Sequence, residues 1–82
     1  MNNSFQNAIN PQKKHHVRII WPDGKEVVYF DAMVRTYQYT IALELDGNIL
    51  RDIAYSDMHR IEIHACQFPY KENTPFLYIY LK

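Results

Sequence analysis

Cysteine is nearly absent from this chain of 82 residues, because Cys66 is the only one. A lone cysteine excludes an internal disulfide framework. Long apolar runs are also missing. No stretch approaches the roughly 20 residues that a membrane-spanning helix needs, and the first 14 residues lack the apolar core of a signal peptide. These absences predict a soluble protein in a reduced, cytoplasmic setting.

Net charge is absent too, since nine Lys and Arg balance nine Asp and Glu. The net charge of the whole molecule therefore does not indicate a nucleic-acid or membrane partner. The positive charge is nevertheless concentrated in the segment PQKKHHVR, residues 11–18, which leaves six basic against nine acidic residues elsewhere. This segment is the first candidate binding element, for a phosphate chain or an acidic protein surface. Its candidate residues are Lys13, Lys14, His15, His16 and Arg18.

Glycine is scarce, and Gly24 and Gly47 both lie in turn signals, WPDGK and DGN. Neither is free to build an oxyanion-stabilising loop. Glu62, His64 and Cys66 alternate along one predicted strand and could form an acid, a base and a nucleophile on one face. Without such a loop we predict that the protein is not an enzyme. Histidine and cysteine spacings typical of metal sites are missing as well, so we predict no metal and no cofactor.

Period-two alternation of apolar and polar residues dominates the chain after residue 15. Six short strands with turns between them predict a mostly all-β fold, a small and strongly bent antiparallel β-barrel of the Sm or SH3-like type. We assign residues 1–14 to an arm, in which Phe5, Ala8 and Ile9 have the spacing of one helical turn, and residues 15–82 to a single domain. The predicted core contains Ile41, Leu43, Ile53, Ile61 and Ile63.

Two strands meet in IAYSDMHRIEI, residues 53–63, with no glycine or proline at the break. We expect SDMH to form one turn of 3₁₀ helix or another tight turn between consecutive antiparallel strands. This arrangement resembles the Sm-like barrel family, in which a short 3₁₀ turn joins the last two barrel strands, and the resemblance covers about residues 16–66. PDGKE, IALELDG and SDMHRI are similar to two bacterial subgroups, the Rho-inhibiting Rof proteins and the YolD-like proteins.

The last strand, FLYIYL, places Phe76, Tyr78 and Tyr80 on one face and aliphatic residues on the other. If the aliphatic row packs inward, an aromatic row is displayed, and as an end strand it would offer an unpaired edge to a partner or a second copy. We therefore expect a small regulatory protein that occupies a macromolecular partner, most readily a protein, as an inhibitor or adaptor of a nucleic-acid machine such as a transcription complex. The alternative is a direct RNA or DNA binder that uses the basic arm and the tyrosines.

Overall fold

The computed structural model describes residue 9, residues 13–64 and residues 74–82 of the chain. These residues form six strands and one short 3₁₀ turn. In chain order they are β1 (Lys14–Ile20), β2 (Glu26–Thr36), β3 (Thr40–Leu45), β4 (Asn48–Ala54), the 3₁₀ turn (Tyr55–Asp57), β5 (Met58–His64) and β6 (Phe76–Leu81). The predicted helical turn in the arm lies outside the described residues except for Ile9, which is buried.

Both glycine turns that the sequence predicts are present. Between β1 and β2, the amide of Gly24 donates to the carbonyl of Trp21 over 3.0 Å. Between β3 and β4, Asp46 and Gly47 have φ angles of 52° and 82°. Two consecutive positive φ angles are those of a type I′ turn, whose twist matches the twist of the two strands that it joins.

The strands form one six-stranded sheet in the order β4-β3-β2-β1-β6-β5. Neighbouring strands are antiparallel, except that β6 runs parallel to β1. The predicted all-β fold with a strongly bent sheet is confirmed, but the sheet is mixed and, within the described residues, no strand pairing closes it into the predicted antiparallel barrel. The prediction that the last strand lies at an edge is wrong, because β6 is paired on both sides, and the two edges belong to β4 and β5.

The short link between the two edge strands shows how strongly the sheet is curled. In a flat sheet with strands about 4.8 Å apart, the first and sixth strands would be roughly 24 Å apart. The chain from Ala54 to Met58 can span at most about 15 Å. The sheet must therefore curl until its edges approach each other at the 3₁₀ turn, although within the described residues no ladder joins β4 to β5.

The predicted 3₁₀ turn is confirmed at Tyr55–Asp57, one residue earlier than SDMH. It is held from both sides of the sheet. The amide of Tyr55 donates to the carbonyl of Tyr39 over 2.9 Å, and the amide of Lys82 donates to the carbonyl of Asp57 over 3.0 Å. The turn therefore holds the start of β3 and the end of β6 at one corner.

The core lies on the concave side of the curl. Ile41 and Leu43 are fully buried there, and Ile53 and Ile61 are half-buried against them. The prediction for Ile63 is wrong, because 37% of it is exposed. Ile63 lies near the far end of β5, and no strand among the described residues pairs with the free edge of β5.

Strand β2 bends where it passes His16 of β1. His15 pairs with Ala32 and Val17 pairs with Tyr29, so two residues of β2, Phe30 and Asp31, lie opposite one residue of β1. Asp31 has a φ of 56°. This arrangement is a β-bulge, which kinks a strand and increases its twist. The bulge therefore supplies part of the curl of the sheet.

Candidate interaction face

The basic segment at residues 11–18, called the basic arm, contains both exposed and buried residues. Lys13 and Lys14 are exposed, whereas His15 and His16 are only 2% and 3% exposed. The ring of His16 packs at 5.1 Å from the ring of Phe30 and at 5.0 Å from the ring of Phe76, measured between centroids. In this structure the two histidines therefore belong to the packing of the sheet and offer little surface to a partner.

His15 is held by its own chain. Its Nδ1 atom lies 3.0 Å from the carbonyl oxygen of Lys13, so an Nδ1–H would donate there. Burial lowers the pKa of His15 below its ordinary value, since charging a ring away from water is costly, and this effect outweighs the hydrogen bond with the Lys13 carbonyl, which raises the pKa. A neutral ring is therefore the favoured form in the folded protein.

Strand β6 has one aliphatic face and one aromatic face, as its alternation predicts. Leu77 and Ile79 are fully buried, and each such side chain contributes about 1.5–3 kcal/mol relative to exposure. Tyr78 and Tyr80 lie on the opposite, outer side and are half-buried. Phe76, which the sequence places in the same displayed row, is only 6% exposed. The displayed aromatic surface of β6 thus consists of the two tyrosines.

Arginine side chains lie over both tyrosine rings. The guanidinium carbon of Arg60 is 4.0 Å from the ring centroid of Tyr80, and that of Arg18 is 5.2 Å from the ring centroid of Tyr78. The strand register explains both pairs, because Arg60 is paired with Tyr80 and Arg18 with Tyr78 across the ladders. Such cation–π contacts lie within about 6 Å, the range in which the ring quadrupole attracts a cation.

Glu62 links the side chains of β5 to those of β6. Its carboxylate accepts from Arg60 Nε over 2.9 Å, lies 3.0 Å from His64 Nε2 and accepts from the Tyr80 hydroxyl over 3.4 Å. The hydrogen bond with His64 is the main reason why the pKa of Glu62 lies below its ordinary value. The pKa of Arg60 is raised above its ordinary value, first by the contact of Arg60 with Tyr80 and then by the charge of Glu62.

These side chains form a continuous surface on the outside of strands β1, β6 and β5. The ring of Tyr78 also packs against the ring of His64, with centroids 4.6 Å apart. We name this surface the outer tyrosine face, and its members are Arg18, Arg60, Glu62, His64, Tyr78 and Tyr80.

The outer tyrosine face is mixed in charge. Arg18 lies 3.8 Å from the carboxylate of Glu26, and Arg60 is bound to Glu62. Arg35, a basic residue further along β2, is bound to Glu44 of β3 over 2.8 Å. The paired arginines therefore do not extend the charge of Lys13 and Lys14 into an uncompensated basic surface.

Across residues 13–64 and 74–82, no group of three or more histidine, cysteine, aspartate or glutamate side chains could hold a metal ion. No helix in the described part of the chain is long and apolar enough to cross a membrane. Cys66, the predicted third member of the Glu62 and His64 cluster, lies outside the described residues.

Known proteins give no match to this chain. Neither protein families, nor curated proteins, nor solved structures yield a similarity that would identify it. The interpretation of the outer tyrosine face therefore depends on its geometry.

Sequence reasoning found the two tyrosines and Arg18 but missed Arg60 as a partner of Tyr80. It treated Glu62 and His64 as part of a possible catalytic cluster and not as neighbours of the tyrosines. The missing information was the pairing of β5 with β6. Had that pairing been assumed, alternation alone would have placed Arg60, Glu62 and His64 beside the aromatic row.

Proposed function

We propose that this protein is a non-enzymatic regulatory binding protein that occupies a protein partner through the outer tyrosine face. The observation that carries the proposal is the pair of arginine–tyrosine contacts, Arg60 with Tyr80 and Arg18 with Tyr78, side by side on one sheet surface. Tyrosine and arginine are the residues in which protein interfaces and their hot spots are enriched. Both rings are held in place before a partner arrives, which reduces the entropy lost on binding.

The charge pattern favours a protein partner over a nucleic acid. A nucleic acid is bound by basic side chains that are not already paired with carboxylates. The affinity of a protein for a nucleic acid grows with the number of phosphates that these side chains neutralise. Arg18 and Arg60 already have carboxylate partners, so their charges are partly compensated. Lys13 and Lys14 remain exposed at the start of β1, where they can pair with an acidic rim on the partner.

A more specific role is proposed from the sequence alone, in which PDGKE, IALELDG and SDMHRI resemble the Rof proteins. This resemblance implies that the partner belongs to a nucleic-acid machine, such as a transcription complex, in the cytoplasm. The protein would act there as an inhibitor or adaptor by occupying a surface. The alternative, direct binding of RNA or DNA through the basic arm and the tyrosines, is the competing outcome of the experiment below.

Binding without turnover is supported by the state of Glu62. A general base works best with a pKa near the working pH. The contacts of Glu62 with His64, Arg60 and Tyr80 lower its pKa, which makes it a weaker base. The Glu62 and His64 pair therefore suits a fixed surface cluster better than proton transfer.

Affinity capture of the full chain from cytoplasmic extract, with and without nuclease, tests this function. Replacing Tyr78 and Tyr80 together with alanine should weaken binding of the captured partner by about 2 kcal/mol or more, roughly thirtyfold in Kd. The matched control is the double alanine variant at Tyr37 and Tyr39, which are 54% and 72% exposed and lie off the face. Thermal melts of both variants check that the fold is kept.

Three outcomes distinguish the protein-binding, nucleic-acid-binding and enzyme hypotheses. Normal partner binding by a folded Tyr78 and Tyr80 double variant would reject the outer tyrosine face. Loss of the partner on nuclease treatment would favour the nucleic-acid alternative. Cys66→Ser should leave partner binding and any regulatory effect unchanged, and complete loss of activity from that single change would favour the enzyme hypothesis.

A further inference from the structure

A shallow notch opens at one end of the outer tyrosine face, where β1 and β6 end. Its volume is about 410 Å³. Tyr80 belongs both to the face and to the wall of the notch, so the two surfaces are continuous. Most of the wall is apolar or aromatic, and the lining residues are Ile20, Trp21, Pro22, His59, Tyr80, Leu81 and Lys82.

The charge at the notch is positive, in contrast to the mixed charge of the face. Lys82 lines it, and the Nζ atom of Lys25 lies 5.4 Å from the ring centroid of Trp21. No aspartate or glutamate is among the described residues that line the notch. The nearby Asp23 carboxylate accepts a hydrogen bond from the backbone amide of Lys25 within the turn.

From this geometry we infer that the notch receives one aromatic or large aliphatic side chain from an acidic segment of the protein partner. The inference rests on the proposed function and adds the chemistry of the partner. The volume lies at the lower end of the range for ligand clefts, about 300–1,000 Å³, which suits one large side chain. A carboxylate next to that side chain would meet Lys25 and Lys82, and this complementarity would fix the orientation of the segment.

The state of Trp21 favours a peptide side chain over a nucleic-acid base. A base would stack on an open ring face, as in single-strand binding proteins. Two cations already lie over the Trp21 ring, Lys25 at 5.4 Å and Arg51 at 5.9 Å. Arg51 is held in place because its Nε donates to the hydroxyl of Tyr29 over 2.8 Å. An apolar side chain can pack against the ring edge and Leu81 without displacing either cation.

The single tryptophan makes the inference testable without knowing the partner, because the indole N–H resonance of Trp21 is unique in the protein. Three capped tripeptides serve as probes: Glu-Phe-Glu, Lys-Phe-Lys and Glu-Ala-Glu. Glu-Phe-Glu should shift the Trp21 indole resonance with an affinity at least about tenfold higher than either of the other two. A thymidine hexanucleotide is the fourth probe and should bind no better than Glu-Ala-Glu.

Charge variants give the second readout. Lys25→Gln with Lys82→Gln should lower the affinity for Glu-Phe-Glu at least about fivefold, because both cations beside the notch are lost. The matched control, Gln38→Glu with Asn48→Asp, changes the net charge equally at exposed positions away from the notch and should bind Glu-Phe-Glu as the wild type does. Both pairs are surface changes, so the folded state is retained for the comparison.

The inference is overturned if Glu-Phe-Glu leaves the Trp21 signal unchanged at about 5 mM, if Lys-Phe-Lys binds equally well, or if the hexanucleotide binds more tightly than any peptide. Failure of this inference can be distinguished from failure of the proposed function. If they occur while the Tyr78 and Tyr80 double variant still loses the partner, the face is the interface and the notch is not its anchor.

Discussion

The Nδ1 atom of buried His16 accepts a hydrogen bond from the backbone amide of Asp31 over 3.1 Å. Asp31 lies in the bulge of β2, with a left-handed φ of 56°. The bulge takes this amide out of the regular ladder, and a buried or half-buried amide without an acceptor is costly. His16 therefore stabilises the bend that lets β2 follow the curl of the sheet.

Substitutions at Asp31 test this role of the bend. Asp31→Gly should keep or slightly raise the free energy of unfolding, by less than about 1 kcal/mol, because glycine adopts positive φ without steric cost. Asp31→Val should lower it by about 1–2 kcal/mol, because a β-branched residue is strained there. Urea denaturation measures both. Equal stability of the glycine and valine variants would show that the left-handed backbone at Asp31 has no energetic consequence.

The buried His15 should make stability depend on pH. Its pKa is lowered in the folded state from an ordinary value of 6.5. His15 therefore binds a proton more readily in the unfolded chain than in the folded protein. The contribution of neutral, buried His15 to the free energy of unfolding is fully present above pH 6.5, the ordinary pKa. It is lost as the pH falls from that value toward the lower pKa of the folded state. His15→Gln should reduce the loss of stability between about pH 7.5 and about pH 5 in urea melts. An unchanged loss of stability in the His15 variant would mean that the burial of His15 does not cause this pH dependence.

A matched set of isoleucine truncations tests the burial pattern. Ile41→Ala should lower the free energy of unfolding by about 2–5 kcal/mol, because Ile41 is fully buried and a cavity would remain. Ile53→Ala, which the sequence alone would place in the same range, should cost less, since Ile53 is half-buried. Ile63→Ala should cost less than about 1 kcal/mol. A larger loss at Ile63 than at Ile41 in the same denaturant series would contradict the curl described above.

The contacts of Glu62 predict which of two substitutions changes its pKa more. Its hydrogen bond with His64 is the largest cause of its lowered pKa, ahead of the charge of Arg60. His64→Ala should therefore raise the pKa of Glu62 toward its ordinary value, and Arg60→Gln should raise it by less. NMR titration of the Glu62 side-chain carboxyl carbon measures both. A larger rise in the Arg60 variant would mean that the ion pair, and not the histidine, dominates this cluster.

The strands and the turns could be predicted from the sequence. Alternation marks which residues of a strand share a face, and Asp-Gly pairs mark tight hairpins, because both signals are local consequences of backbone geometry. The predicted strands agree with β1 to β6, apart from residues at their ends and Tyr37–Tyr39, which precede β3. The turn near Ser56 follows from the break between two alternating strands, and alternation also places Leu77 and Ile79 on one face of β6.

Which strands became neighbours could not be predicted from the sequence. The order of the strands in the sheet determined the candidate interface. Alternation does not say whether β6 lies at an edge or between two strands, since ladder partners are chosen by packing over long sequence separations. Insertion of β6 between β1 and β5 buried Phe76 against His16 and brought Arg60 to Tyr80. The same order left Ile63 beside an unpaired edge. Periodicity determines the face of a side chain, and the neighbouring strand determines whether that face is covered.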